Sequence, residues 1–209
     1  MTETEGVQEP NLKRTDPEVA RAIEAEIERE IKLIYEMYAV FGFEDVRVAL
    51  STRPEKSMGT EEMWSNAESA LEGALKKQGV KYHINPGEGA FYGPKLEFQV
   101  TDAIGRPWQL GTVQLDYNMP ERFKLEYVGA DNAEHRPVMI HRAILGSIER
   151  FFGIIVEHFA GAFPMWLAPQ QAIVLPLSEK YLEYAQSVEA KLKAAGLRVS
   201  TDGSNEKLG

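Results

Sequence analysis

The fold is decided by the stretch Pro137-Val-Met-Ile-His-Arg-Ala-Ile-Leu-Gly-Ser-Ile-Glu-Arg-Phe-Phe-Gly-Ile-Ile-Val-Glu-His-Phe159. A short apolar run, Val138 to Ile140, meets a polar hinge at His141-Arg142, and a helical pattern follows. Apolar side chains recur there at three- and four-residue steps, which predicts a helix that buries one broad face. The residues of that face are Ile144, Leu145, Ile148, Phe151, Phe152, Ile155 and Phe159.

A second stripe of the same pattern consists of Gly146, Arg150 and Gly153. Glycine inside a helix costs about 1 kcal/mol relative to alanine. Two glycines that flank an arginine therefore suggest a groove where a ligand or a neighbouring backbone comes close to the helix. The alternative is tight helix–sheet packing with a solvated arginine, and the spacing alone does not decide between them.

Working outward, the middle of the chain predicts an antiparallel hairpin. Leu96, Phe98 and Val100 alternate with polar residues, and the turn Ile104-Gly-Arg-Pro107 leads into a return strand over Trp108–Tyr117. Helices are predicted before this hairpin, from Pro17 to Gly42 and from Thr60 to Gly79, and after it. The predicted fold class is α+β, with an antiparallel sheet and flanking helices.

Several stretches resemble the threonyl-tRNA synthetase family of class II aminoacyl-tRNA synthetases, and the stretch quoted first is similar to their motif 3. The resemblance runs from about Ile31 to the last residue. Its other strings are Ser51-Thr-Arg-Pro-Glu-Lys56, Gly89-Ala-Phe-Tyr-Gly-Pro-Lys95 and Trp108-Gln-Leu-Gly-Thr-Val-Gln-Leu-Asp116. Arg53 and Lys56 in the first string suit either an RNA contact or a solvated turn, and the turn is the favoured interpretation.

The resemblance turns these patterns into a domain organisation. Residues 1–30 are a tail and a helix start that match the family poorly, and residues 31–164 are a partial class II synthetase-like catalytic core. Beyond the linker, a strand, a helix and a second strand form the beginning of a βαβ unit. Residues 165–209 are therefore interpreted as a linker and the truncated start of an α/β anticodon-binding domain.

Composition is that of an ordinary globular protein, with 44% hydrophobic and 26% charged residues. The longest apolar runs are too short for a membrane span, and the acidic N-terminus argues against a secretory signal. The absence of cysteine excludes disulfides and thiolate metal sites, and it favours a cytoplasmic location.

A net charge of −9 argues against a nucleic-acid partner, because phosphate contacts supply most of that affinity. The excess is uneven, since residues 1–45 hold twelve acidic against five basic residues and residues 168–209 hold five of each. The motifs are more specific than the charge, and the resemblance implies tRNA(Thr), threonine and ATP as partners.

The residues that the resemblance assigns to chemistry lie on the hairpin and in motif 3. Thr112, Gln114 and Asp116 share parity along one strand, so they line one wet face. The family activates threonine with ATP and Mg²⁺ to threonyl-adenylate and transfers it to tRNA, which requires cations against phosphate charge. The implied roles are catalysis for Arg150 and Gln114, ATP binding for Gln109, Thr112, Ser147 and Arg150, and threonine binding for Tyr92 and Gln114.

His141 has two interpretations. A lone histidine is more often a hydrogen-bonded structural residue than a metal ligand. The resemblance instead implies a catalytic Zn²⁺, which would read the threonine hydroxyl where an apolar pocket separates threonine from valine only about 100-fold. Three protein ligands are needed, and the family's other two, a cysteine and a histidine, lie upstream of Ile31. Residues 1–30 contain neither, so the predicted zinc site is incomplete in this chain.

Three readings of the whole chain follow. It is part of a threonine–tRNA ligase, a fragment or split subunit that carries only part of the active site and does not aminoacylate alone. A partner chain with the missing N-terminal half, and the homodimer of the intact family, are then expected. Alternatively it is an inactive synthetase-like paralogue that binds tRNA, an adenylate or a partner synthetase. An unrelated scaffold of similar fold is disfavoured by the density of motifs.

Overall fold

Helix α1 (Pro17–Val40) begins the described part of the chain, residues 17–204 of a computed structural model. Its apolar stripe is buried as the sequence predicts, with Ile27, Ile34 and Tyr38 inaccessible to solvent. The helix ends before Gly42, whose φ of +76° favours glycine. The N-cap predicted at residue 16 lies outside the described residues.

Five strands form the central sheet, and helix α2 (Glu61–Lys77) connects the first two. The strands are β1 (Val46–Ser51), β2 (Tyr82–Asn85), β3 (Lys95–Thr101), β4 (Pro107–Asp116) and β7 (Met139–Ala143), in the order β2-β1-β3-β4-β7. Every neighbouring pair is antiparallel except β1 and β2, which a helical crossover joins in parallel. The predicted α+β class and the predicted β3–β4 hairpin are confirmed.

The core lies on one face of this sheet. Alternate residues of β3, namely Leu96, Phe98 and Val100, are buried there. Tyr38 of α1 donates a hydrogen bond to the carbonyl of Ile144 at 2.8 Å. Helix α2 begins at the predicted cap, where the Thr60 hydroxyl accepts from the Met63 N–H at 3.2 Å, and it buries Trp64, Ala67, Leu71, Ala74 and Leu75.

Motif 3 differs from its predicted form in where the helix begins. Strand β7 continues through His141 and Arg142 because it pairs with β4 as far as Ala143, so these residues are not a hinge. Helix α4 (Ile148–His158) begins only after Gly146, whose φ of +64° marks a turn. Gly146 is therefore required by backbone conformation, and the predicted glycine–arginine–glycine stripe does not exist on the helix.

The later start of α4 also changes which face is buried. Ile148 and Phe152 are 66% and 59% exposed, so their predicted burial is wrong. The buried residues are Phe151, Ile154 and Ile155, and the Phe151 ring packs edge-on against Phe41 at 4.8 Å. These three residues form a narrower apolar stripe than the predicted one, which also included Ile148 and Phe152.

Three short elements separate β4 from β7: helix α3 (Asn118–Arg122) and strands β5 (Tyr127–Val128) and β6 (Glu134–His135), which pair with each other. The described residues divide into two units, the first up to Ile155 and the second from Val156. The second unit contains the parallel pair β8 (Ala172–Val174) and β9 (Val199–Thr201), a 3₁₀ turn (Glu179–Tyr181) and helix α5 (Leu182–Ala194).

Within the second unit, Arg198 fastens the segment before β8 to β9. Its guanidinium donates to the carbonyls of Trp166 and Ala168 at 2.9 and 2.8 Å. Ala185 and Val199 are buried. Between residues 17 and 204, no helix has the length and apolarity that crossing a membrane requires.

Candidate functional site

A row of polar residues crosses the whole sheet on the face opposite the core. Directly paired residues of neighbouring strands point to the same face, and here the pairing aligns one residue from each of the five strands. In sheet order they are Asn85, Ser51, Lys95, Gln114 and His141. The sequence motifs are therefore brought side by side by strand register, although up to 90 residues separate them.

A β-bulge in β4 adds Gln109 to this face. Between Phe98 and Gln99 the register with β3 shifts by one, because β4 contains the extra residue Leu110. Gln109 and Thr112 are three residues apart and would face opposite sides of a regular strand. With the bulge they face the same side, and the Gln109 side-chain amide donates to the Thr112 hydroxyl at 3.3 Å. The bulge thus re-aims one side chain toward the site.

One end of the face holds a cluster of Tyr92, Gln114, His141 and Asp116. The Tyr92 hydroxyl donates to Gln114 Oε1 at 2.9 Å, and the Tyr92 and His141 rings lie edge-on at 6.2 Å. His141 Nε2 lies 2.8 Å from Asp116 Oδ2, and Asp116 is only 2% exposed. Burial, and then the charge of Asp116, raises the pKa of the Tyr92 hydroxyl, which therefore stays protonated as a donor.

Asp116 was expected only to share a face with Thr112 and Gln114, and its role beside His141 was missed. Its other carboxylate oxygen accepts the backbone N–H groups of Asn118 and Met119 at 2.8 and 3.0 Å, which also starts helix α3. The carboxylate is thereby fixed in place and orients the imidazole of His141. The alternation along β4 indicates from sequence that Asp116 lies on the polar face. Its contact with His141 depends on the register between β4 and β7, which the sequence does not reveal.

The loop that carries Tyr92 is held by the Ser51–Lys56 motif. The Gly89 N–H donates to the Thr52 carbonyl at 2.7 Å, and the Met58 N–H donates to the Phe91 carbonyl at 2.7 Å. In the segment that follows β1, the Arg53 guanidinium donates to the Ser57 hydroxyl at 2.7 Å, so residues 53–57 form a closed turn. These bonds give the motif a part in placing Tyr92, and the choice between a solvated turn and an RNA contact for Arg53 and Lys56 stays a prediction.

Arg150 lies at the edge of β4 beside the other end of the polar face, where Trp108 pairs with Val100 and faces the core side of the strand. Its guanidinium carbon lies 5.6 Å from the centroid of the Trp108 ring, and its Nη1 donates to the Gln109 carbonyl at 3.4 Å. The Ser147 hydroxyl accepts the Arg150 N–H at 3.2 Å, as an N-cap of α4 does. Ser147 and Arg150 are thus both exposed at the first turn of the helix, beside Gln109.

Asp102 anchors Trp108, and neither residue was predicted to belong to the site. The Asp102 side chain is fully buried and accepts from the Trp108 indole N–H at 2.9 Å and the Arg106 backbone N–H at 2.8 Å. Burial alone would raise the pKa of Asp102, but these hydrogen bonds, with others from the Arg106 guanidinium and the Ile104 N–H, hold it well below its usual range. The sequence contained no signal for this contact beyond an acidic residue before a turn.

The depressed pKa predicts an acid dependence of stability. Since the folded-state pKa of Asp102 lies below the unfolded value of about 4, its stabilisation is complete above pH 4 and is lost as the pH falls toward the folded-state pKa. Asp102→Asn should therefore destabilise the chain at neutral pH, with a difference from the parent that shrinks below about pH 4. Urea unfolding at several pH values measures this, with Asp45→Asn at an exposed position as control; a difference that does not change with pH would contradict it.

The structure thus divides the predicted site residues into two groups along β4. Tyr92, Gln114 and His141 lie together at one end, and Gln109, Thr112, Ser147 and Arg150 lie at the other. Lys95 stands in the same row and pairs with Glu97 at 2.5 Å. Among residues 17–204 there is no group of three or more histidine, cysteine or acidic side chains arranged to hold a metal ion.

Comparison with protein families gives two matches. Residues 17–159 match the model of the tRNA synthetase class II core domain (G, H, P, S and T). Residues 171–209 match the model of the anticodon-binding domain. The first match covers most of the chain and contains the entire central sheet with all of the predicted site residues.

Individual relatives agree with these models. The chain is 58% identical to a threonine–tRNA ligase of Caldanaerobacter subterraneus subsp. tengcongensis and 51% identical to one of Natranaerobius thermophilus; each alignment covers 90% of this chain and 29% of the relative. A crystal structure of the RNA-binding domain of threonyl-tRNA synthetase from Cryptosporidium parvum superposes with a TM-score of 0.86 at 46% identity, covering 90% of this chain and 47% of that one. The chain therefore spans less than a third of the length of these curated relatives.

Proposed function

The chain belongs to the class II tRNA synthetase core family, and from that membership we propose that it carries part of the active site of a threonine–tRNA ligase. The proposed reaction is activation of threonine by ATP to threonyl-adenylate, followed by transfer to tRNA(Thr). The relatives' printed names and the 51–58% identity support this choice of amino acid. Mg²⁺ would accompany ATP, and the anticodon-binding match supports tRNA as a partner.

One observation carries the proposal: the polar face is long, and its two ends differ. Residues 109 and 114 are five positions apart on β4 with one bulged residue between them, so roughly 15 Å of strand separates Arg150's contacts from those of His141. A ligand that reaches both ends must be extended. An aminoacyl-adenylate is such a molecule, with the amino acid at one end and the nucleotide at the other.

The residues of each end have chemistry suited to one half of that ligand. At the Gln109 end, Arg150 provides a positive charge and planar donors for the nucleotide, and Gln109 and Thr112 provide an amide and a hydroxyl. At the Gln114 end, the protonated Tyr92 and the Gln114 amide provide hydrogen bonds for threonine. Ser147, next to Arg150, is proposed to lie beside the adenylate.

Zinc fits this chain poorly. His141 provides one imidazole, whose Nε2 faces Asp116, whereas a catalytic site needs three protein ligands. The described residues offer no such group, so we derive no step through a metal on this chain. If His141 is a zinc ligand, the remaining ligands come from another polypeptide segment.

We therefore expect the purified chain to contain far less than one zinc ion per molecule. The physical reason is that a single imidazole without further ligands binds zinc weakly. Metal analysis of the chain after dialysis, with and without added zinc, measures the content. Tight stoichiometric zinc that survives dialysis would contradict the prediction and would require ligands not identified here.

Tyr92→Phe tests the threonine end of the site. In an enzyme made by grafting this chain into the Caldanaerobacter relative, the change removes the hydroxyl that bonds to Gln114 and should raise the KM for threonine about five- to tenfold, the usual net effect of one hydrogen bond. The KM for ATP should change little, because the nucleotide is proposed to bind at the other end. Equal effects on both constants would contradict the division into two ends.

The function itself is tested by grafting. This chain replaces the corresponding segment of the Caldanaerobacter relative, and threonine-dependent ATP–pyrophosphate exchange is measured. Activity close to that of the intact relative supports the proposal. Correct folding of the graft without exchange would favour an inactive synthetase-like protein that binds tRNA or an adenylate.

A second candidate is a split subunit, in which a separate polypeptide would supply the further ligands that a zinc ion on His141 needs. Adding a separate polypeptide with the remaining part of the relative tests it, since exchange restored in trans requires the two chains to assemble. The homodimer, the cytoplasmic location and the domain limits at residues 31–164 and 165–209 also stay predictions. Gel filtration of the chain with and without that polypeptide would measure the assembly.

A further inference from the structure

We propose that Trp108 is a positioning residue for Arg150, and that its indole face holds the guanidinium where an incoming nucleotide can use it. The inference rests on the proposed function, which places the nucleotide at this end of the sheet. Neither the motif resemblance nor the family match assigns a role to Trp108.

The ring is fixed by a buried carboxylate. The Trp108 indole N–H donates to Asp102 Oδ2 at 2.9 Å, and Asp102 is itself held by the backbone N–H groups of Ile104 and Arg106 at 3.1 and 2.8 Å. Because the Asp102 side chain is fully buried, water does not compete for these bonds. The indole therefore has a fixed orientation relative to the β3–β4 turn.

The guanidinium of Arg150 lies over this fixed ring at 5.6 Å, within the range of a cation–π contact. Its second contact is the carbonyl of the next residue, Gln109, at 3.4 Å. Both contacts come from β4, so they tie the first turn of α4 to the strand that carries Gln109 and Thr112. The guanidinium has five N–H donors, and those that do not bond to the Gln109 carbonyl are available for a ligand.

A second arginine, Arg106, also contacts the Trp108 ring, but it is a poorer candidate for binding the nucleotide than Arg150. The Arg106 guanidinium also lies 5.6 Å from the Trp108 ring, but its Nε donates to Asp102 at 2.5 Å. Its charge is thus neutralised inside the turn. Among residues 17–204, the Arg150 side chain contacts the Trp108 ring and the Gln109 backbone carbonyl, neither of which carries a negative charge.

The contact with Trp108 orders the Arg150 side chain before a ligand binds. A long exposed arginine samples many rotamers, and a ligand that orders it loses affinity for that reason. The stack on Trp108 places the guanidinium beforehand. Removing the aromatic face should weaken ATP binding about three- to thirty-fold, the range for a cation–π contact, while the chemistry after binding changes less.

The test uses the ¹⁵N-labelled 209-residue chain and magnesium-ATP as the probe. The Arg150 Nε–Hε resonance, assigned by its loss in Arg150→Lys, should be shifted upfield by the indole ring current before any ligand is added. Trp108→Leu should remove this shift and weaken ATP binding measured by titration. Trp108→Phe, which keeps an aromatic face but loses the indole N–H that fixes the ring to Asp102, should give values between those of the parent and Trp108→Leu. Trp166→Leu, in the second unit, is the control and should change neither.

The outcomes separate this inference from the proposed function. An Arg150 resonance that is unchanged in Trp108→Leu overturns the stack, and a changed resonance with unchanged ATP affinity overturns its positioning role. In the grafted enzyme, Trp108→Leu should raise the KM for ATP with a small effect on kcat, and an equal loss in both would indicate general damage. If the unaltered chain shows the shifted resonance but the grafted enzyme catalyses no threonine-dependent exchange, the proposed function fails while the stack stands.

Discussion

Arg150→Ala is expected to lower threonine-dependent pyrophosphate exchange by the grafted enzyme about 100- to 1,000-fold. Arg150 is the cation at the proposed nucleotide end, and among the described residues its side chain contacts only the Trp108 ring and the Gln109 carbonyl. Charge that develops on the phosphates in the transition state would lose its partner. Arg150→Lys should recover only part of the activity, because an ammonium lacks the planar fork.

The matched control for this change is Arg122→Ala, at an exposed position in the short helix α3. It removes the same side chain outside the polar face and should leave exchange within about twofold of the parent, as exposed substitutions usually do. A loss of less than about tenfold in Arg150→Ala would be too small for a transition-state contact. Such a result would remove Arg150 from the proposed chemistry.

Gly93→Ala is expected to destabilise the chain by about 3 kcal/mol, at the upper end of the usual cost of overpacking. A Cβ at this position would lie 1.8 Å from the carbonyl oxygen of Leu115, so backbone has to move. The movement is resisted because the Leu115 N–H also donates to the Pro94 carbonyl at 3.3 Å. Tyr92 and Lys95 flank this crossing, and both would be displaced from the face.

Gly73→Ala provides the opposite expectation with the same change of side chain. Gly73 lies on the exposed side of helix α2, and nothing lies within 4 Å of its built Cβ. Alanine should stabilise the helix there by about 0.5–1 kcal/mol. Urea unfolding of both variants measures the two effects, and a neutral Gly93→Ala would mean that the β4 crossing is looser than the structure shows.

The elements that the sequence predicts correctly are those decided by local pattern. The buried stripe of α1, the cap at Thr60 and the β3–β4 hairpin each follow from spacing or from turn residues within one segment. Helix α4 was misplaced because Ile148 and Phe152 fit an apolar helical period, yet the exposed fraction of each depends on what packs beside it. Pairing of β7 with β4 then extended the strand over His141 and Arg142, which a local pattern does not reveal.

The sequence named the candidate residues but only part of the geometry that joins them, and their roles in binding and catalysis stay predictions. The motifs named Tyr92, Gln114, His141 and Arg150, and the structure places the first three in one cluster. The contact between His141 and Asp116 depends on the register of two strands that are 25 residues apart in sequence. The Asp102–Trp108–Arg150 arrangement combines a turn, a strand and a helix, so no single segment encodes it.

The bulge at Leu110 has a practical consequence for exchanging parts between relatives. The alternation of side chains along β4 shifts by one residue at Leu110. The inserted residue keeps Gln109 on the polar face and Leu110 in the interior. A recombination junction that gained or lost one residue within 107–116 would invert one half of the strand against the other. Crossover points are therefore best placed outside this strand, so that its length is inherited intact from a single parent.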